Sequence, residues 1–141
     1  MRFAGHNVLA VIVAAIVMYF VEFLIYGVLI PPATYQAMAH VAPGDMEAIG
    51  MSKMPFGIIG PLIWAVGLSV ANGWRSAKGW QAGAMTGVLT AAFFMIAARF
   101  YQWGYGPTGL DFYALDAVHF VLVGAIGGAI LAAWPPGKAA A

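Results

Sequence analysis

Residues 115–134 read LDAVHFVLVGAIGGAILAAW. Twenty residues at about 1.5 Å each make a helix of about 30 Å, the thickness of a bilayer's hydrocarbon core. Only Asp116 and His119 interrupt its apolar character, and three residues apart they share a helix face. Ionisable groups in a spanning segment are expensive, so they mark either a contact that locks helices together or a site.

The rest of the chain has the same character. Of 141 residues, 63% are hydrophobic and 8% charged, whereas a water-soluble domain carries about 25% charged residues. A single membrane-embedded domain covering 1–141 is therefore expected. Six basic and five acidic residues, net charge +1, lack the dense Lys/Arg patches that nucleic acid demands. With no cysteine, disulfides, thiolate metal sites, iron–sulfur clusters and cysteine nucleophiles are all excluded. The first apolar run, from Val8 to Ile30, exceeds the ~7–15 residues of a signal-peptide core and stops at Pro31-Pro32. It is expected to stay in the mature chain as a span.

Four hydrophobic segments are predicted, at about 8–30, 55–72, 81–103 and 113–134, with an outer loop at 31–54. They are continuous rather than alternating, and a helix satisfies its own backbone within one segment, so helices are expected and not a barrel. The predicted fold is an all-α, multi-pass bundle of four transmembrane helices in the lipid bilayer, in a bacterial inner (plasma) membrane. Placing both termini in the cytoplasm puts Arg2, Arg75, Lys78 and Lys138 inside and Lys53 and Arg99 outside, as the positive-inside rule favours. Trp74, Trp80 and Trp134 then mark the inner boundary, and Tyr101, Trp103, Tyr105 and Tyr113 the outer one. Within the loop, Gly44-Asp45 reads as a helix start, with Asp45 as the cap before Met46, Glu47 and Ile49. That segment reads either as a lid or as a gate.

Small residues recur in register. Gly79, Gly83 and Gly87 are spaced by four and continued by Ala91, and Gly124 and Gly128 repeat the rhythm with Gly127 beside them. Helices in lipid associate through close backbone contact, which glycine ridges permit. Two ridges are more than four helices are expected to use internally, which predicts a homo-oligomer or a subunit of a larger membrane complex.

A polar cluster is the second constellation. In the expected topology Glu22 lies roughly 12 Å below the outer end of its helix, His119 about 9 Å, Arg99 about 6 Å and Asp116 about 5 Å. Tyr19 and Tyr26 flank Glu22 at helical spacing. One reading is a latch, in which Arg99 clamps Asp116 or Glu22 and His119 satisfies the remainder. The other is a binding site for a proton, an ion or a small ligand, since carboxylate and imidazole at depth titrate within reach of neutral pH. In either case Glu22 is expected to contact Arg99 or His119, with Tyr19 or Tyr26 completing its surroundings. Asp116, His119 and Glu22 could supply three metal ligands, but a di-iron bundle needs a second Glu/Asp-x-x-His motif and none is present. Nucleophile elbows, phosphate loops, zinc-protease motifs and dinucleotide fingerprints are absent, so no catalytic residue, metal or cofactor is assigned and no enzyme is expected.

Asn7-Val8-Leu9-Ala10-Val11 at the start, the Asp116-x-x-His119 helix running into Gly128-Ala129-Ile130-Leu131 and Trp134, and the acidic stretch 44–50 together resemble a bacterial family known as domain of unknown function one-seven-six-one. The resemblance implies a small four-helix membrane protein and no particular activity. The family's Trp-Tyr-Ser-Pro end of the first helix is replaced here by Ile25-Tyr26-Gly27, with proline reached only at Pro31. Two functions are thus expected: a homo-oligomeric or accessory structural subunit, or a module that binds or transports a small ligand or proton.

Overall fold

The computed structural model describes residues 2, 3, 6–42, 44, 45, 53 and 56–134. The stretch 46–50, where the acidic loop helix was expected to continue, lies outside these residues. The described chain is helical apart from a two-residue antiparallel pair, in which Arg2–Phe3 faces His6–Asn7.

Helix α1 (Val8–Phe23) starts on an Asn7 cap, whose side-chain oxygen accepts from the amide of Ala10 at 3.3 Å. Its buried residues, Ala10, Val11, Ala14, Ala15 and Met18, recur at three- and four-residue spacing and form one stripe. It runs on as a π-helical turn, Leu24–Leu29, before Ile30 turns extended. Pro31 and Pro32 do not merely stop this helix. Pro32 opens a second one, α2 (Pro32–Ala39), because proline's fixed φ and missing N–H suit a first helical position. This helix lies inside the span expected to be loop.

Helix α3 (Ile59–Trp74) follows a tight turn at 56–58. It runs two residues past its expected end because Asn72 is not a polar stop. The side chain is buried, and its amide nitrogen donates to the carbonyl of Gly128 at 3.1 Å. Helices α4 (Gly79–Thr90) and α5 (Ala97–Tyr105) are joined by a second π-helical stretch, Ala91–Ile96, into one rod. Helix α6 (Leu110–Ala133) begins three residues earlier than expected, with Asp111 in its first turn accepting from the amide of Phe112 at 2.8 Å.

Helix α6 is the centre of the bundle, and its glycines explain why. A Cβ on Gly83 or Gly87 would overlap the carbonyl of Gly128 or Gly124, so α4 and α6 touch backbone to backbone. Gly127, on another face of α6, is covered by Met18 of α1 and Leu68 of α3. Val11, Ala14, Ala15, Met18, Ala65, Leu68 and Val123 fill the space among α1, α3 and α6. Gly79 does not belong to the ridge. It has φ +80 and open space where a side chain would be, so it shapes the turn into α4. Buried Ala91 extends the ridge at its other end.

Among the described residues, three helical stretches are long and apolar enough to cross a membrane: Val8–Leu29, Gly79–Tyr105 and Leu110–Ala133. Ile59–Trp74 is apolar but shorter. Leu9, Ile16, Phe20, Val28, Phe93 and Phe94 all stand more than half exposed on the outside. An apolar exterior around a bundle that holds buried Asn72, Thr86, Asp116 and His119 is that of a helical membrane protein.

Candidate functional site

The four ionisable groups do gather at one end of the bundle, but they divide into two units. The first is centred on Asp116 of α6, which is 4% exposed. Its Oδ2 accepts from Nε of Arg99 on α5 at 2.6 Å and also contacts Nη2 of the same guanidinium. Its Oδ1 accepts from the hydroxyl of Tyr26, in the first π-helical turn. Arg99 further donates to the side-chain oxygen of Gln102 and lies 5.7 Å from the ring centre of Phe112. Both carboxylate oxygens are thus engaged, and three elements are tied together. Neither oxygen of the Asp116 carboxylate is left without a partner.

The second unit is Glu22 and His119. One turn along α6 from Asp116, His119 is 5% exposed. Its Nε2 lies 3.4 Å from Oε1 of Glu22, within electrostatic reach but not aligned as a hydrogen bond. Among the described residues, neither ring nitrogen has a hydrogen-bond partner. The ring is held instead by edge packing on Tyr26, with centroids 5.0 Å apart, and by Phe120 at 4.9 Å. Glu22 therefore meets His119, one of its two expected contacts, and not Arg99, which Asp116 holds. Because Asp116 faces Arg99 and Tyr26, it does not join Glu22 and His119 as a third metal ligand, and no group of three such side chains occurs among the described residues.

Glu22 is only partly covered. It opens onto a groove of about 420 Å3 lined by Tyr19, Glu22, Phe23, Tyr26, Gly27, Pro32 and Tyr35. Helix spacing brings Tyr19, Glu22, Phe23 and Tyr26 to one side of the first span. The opposite wall comes from α2, whose Tyr35 packs edge-on against Tyr26 at 6.0 Å and Phe112 at 5.4 Å. Burial pushes the Tyr35 hydroxyl above its ordinary range, the charge of Asp116 adds to this, and Arg99 opposes it. The phenol thus stays neutral at physiological pH.

Sequence reasoning found Glu22, Asp116, His119, Arg99, Tyr19 and Tyr26. It missed Tyr35, Phe112 and Gln102. The signal for Tyr35 was the proline pair: Pro32 at a helix start would have placed α2, and with it an aromatic facing the end of the first span. Comparison of the chain with protein-family models, with curated proteins and with solved structures returned no match.

Proposed function

We propose that this chain is a four-span protein of a bacterial inner membrane, with both termini cytoplasmic, that binds a proton or small ligand at Glu22 and His119. The observation that carries this reading is the buried imidazole whose nitrogens make no hydrogen bond among the described residues, beside a carboxylate that opens onto a groove. A buried polar group left without a hydrogen bond costs about 1–3 kcal/mol. An ionisable ring that carries this cost beside a carboxylate reaching a groove is arranged as a site is. The neighbouring latch of Arg99, Asp116 and Tyr26 holds the walls in place.

Four crossings are favoured by the basic residues. The turn at 75–78 carries Arg75 and Lys78, and only if α3 also crosses does it share a side with Arg2 and Lys138. At 16 residues α3 is about 24 Å long, a modest mismatch that local thinning of the bilayer accommodates. The short motifs quoted above support kinship with the bacterial family of unknown function. A purely structural role was expected from the polar cluster acting as a latch, and association between chains from two glycine ridges. Gly83, Gly87, Gly124 and Gly128 meet one another between α4 and α6, so these glycines offer no argument for association.

The two units predict opposite mutational behaviour. Asp116→Ala leaves Arg99 and Tyr26 without their partner and should destabilise the protein by about 3 kcal/mol. Glu22→Gln keeps the shape of a side chain that makes no aligned bond to His119, and should change stability by less than about 1 kcal/mol. Unfolding in mild detergent measures both. In the same samples and at one fixed pH, the 15N signals of the His119 ring should differ between wild type and Glu22→Gln. Equal destabilisation by both variants, with a His119 ring indifferent to residue 22, would mean that the whole cluster is a latch.

A further inference from the structure

The groove beside Glu22 has a chemistry that narrows what it can hold. Its lining contains one charged group, the Glu22 carboxylate, and four aromatic rings, those of Tyr19, Phe23, Tyr26 and Tyr35. Among the described residues, no cationic side chain lines it. The nearest guanidinium, Arg99, is bound to Asp116 and Gln102 and is not among the lining residues. An anion would therefore meet the Glu22 carboxylate, whose one ionisable neighbour is the buried His119 imidazole behind it and not a cation on the groove wall. A bare metal ion would find too few ligands, since no set of three His, Asp or Glu side chains converges among the described residues.

Aromatic rings line the groove on both sides, Tyr19, Phe23 and Tyr26 from the first span and Tyr35 from α2. Tyr26 and Tyr35 are held edge to face, at 83° with centroids 6.0 Å apart, which fixes the two sides against each other. Aromatic rings grouped around a carboxylate attract organic cations, because a ring quadrupole offers negative charge to a cation within about 6 Å of an open face. Gly27 leaves room for the Phe23 ring: a Cβ there would lie 3.0 Å from that ring, so a larger side chain would displace a groove wall. The volume, about 420 Å3, lies within the range of small-molecule sites. Glu22 sits seven residues before the end of the first span, about 10 Å along the helix, so the groove opens near the membrane surface.

We propose that this groove binds an organic ammonium group, held by the Glu22 carboxylate and by the rings of Tyr19, Phe23, Tyr26 and Tyr35. The proposal rests on reading Glu22 and His119 as a site, and it names the chemical class of that site's ligand. The ammonium can belong to a free amine or to the headgroup of an amine-bearing lipid; the recognising chemistry is the same for both.

The test uses the full chain in nanodiscs of phosphatidylglycerol, which carries no amine. Tetramethylammonium chloride and ethylammonium chloride are titrated, with sodium chloride and sodium acetate as controls, while ring signals of 13C-labelled tyrosine are followed. Saturable shifts of Tyr19, Tyr26 and Tyr35 are expected with the ammonium salts only. Glu22→Gln should weaken the response about tenfold, the loss of one charge-assisted contact. Gly27→Leu should abolish it by displacing a groove wall while leaving the Glu22–His119 pair in place, so the idea stays testable if the Glu22→Gln variant inserts poorly. Nanodiscs of phosphatidylethanolamine then separate the sources: a lipid ligand produces the shifted spectrum before any amine is added, and a free amine does not. Shifts no larger than those with sodium chloride, or a response to acetate, would overturn the proposal. If that happens while the His119 ring signals still respond to Glu22→Gln, the reading of this pair as a site stands and only the ammonium is wrong. If His119 is indifferent to residue 22 as well, both fall.

Discussion

Asp116 and His119 stand one turn apart on the same helix, are equally buried, and end in opposite situations. What separates them is geometry of a few ångströms. Asp116 has a guanidinium and a phenol within reach, so both its oxygens are satisfied, while His119 meets Glu22 out of alignment. Tyr26 connects the two units, bonding to Asp116 and packing on the His119 ring. Tyr35 supplies a titration that can be read outside the spans. Burial raises its pKa above the unfolded value of 10.0, so the folded state holds the phenolic proton more tightly than the unfolded chain does. The stability it contributes is present below about pH 10 and is lost as pH rises through the folded value. Phenolate absorbance of wild type minus that of Tyr35→Phe should show one tyrosine ionising with a midpoint above pH 10. A midpoint at or below 10 would contradict the burial of this ring.

At the scale of elements, the glycine ridges set which helices touch. Because the closest contacts at Gly83 and Gly87 are with backbone, a larger side chain cannot be accommodated by a rotamer change. Gly83→Leu or Gly87→Leu should therefore separate α4 from α6 and cost at least about 3 kcal/mol, seen as loss of folded monomer in detergent. Met85→Leu, on the exposed side of α4, should be near neutral. If the glycine variants stayed folded and only failed to associate, the ridge would serve contacts between chains. The two π-helical stretches belong to this scale too. Extra-residue turns recur at functional sites, and here one carries Tyr26 and Gly27 to the groove. Nothing in the apolar run 24–29 announces it, since a π turn differs from an α turn only in which carbonyl each amide reaches.

For the whole molecule, sidedness is the property most open to direct measurement. The chain has no cysteine, so single substitutions report accessibility without background. Ser76→Cys, in the turn between α3 and α4, should be protected from an impermeant maleimide in intact spheroplasts and react only after lysis. Tyr105→Cys, 82% exposed at the far end of the rod, should react at once. Labelling of Ser76→Cys in intact spheroplasts would overturn the proposed four-span topology with cytoplasmic termini.

Composition and continuous apolar runs were sufficient, by themselves, to determine a helical membrane protein. Bilayer thickness imposes a length, and the backbone must be satisfied within each segment. The polar residues were legible too, because ionisable side chains stand out in such runs. Other features were decided only by tertiary structure. Uniformly apolar helices leave their rotation about the axis nearly unspecified, so pairing Arg99 with Asp116 and Glu22 with His119 needed the glycine contacts that fix α6 among its neighbours. The facing of the two ridges within one chain, the burial of Asn72 and the docking of α2 over Glu22 depend likewise on contacts between residues far apart in sequence. Local patterns carry no record of them, because each segment taken alone is equally content in lipid on any face.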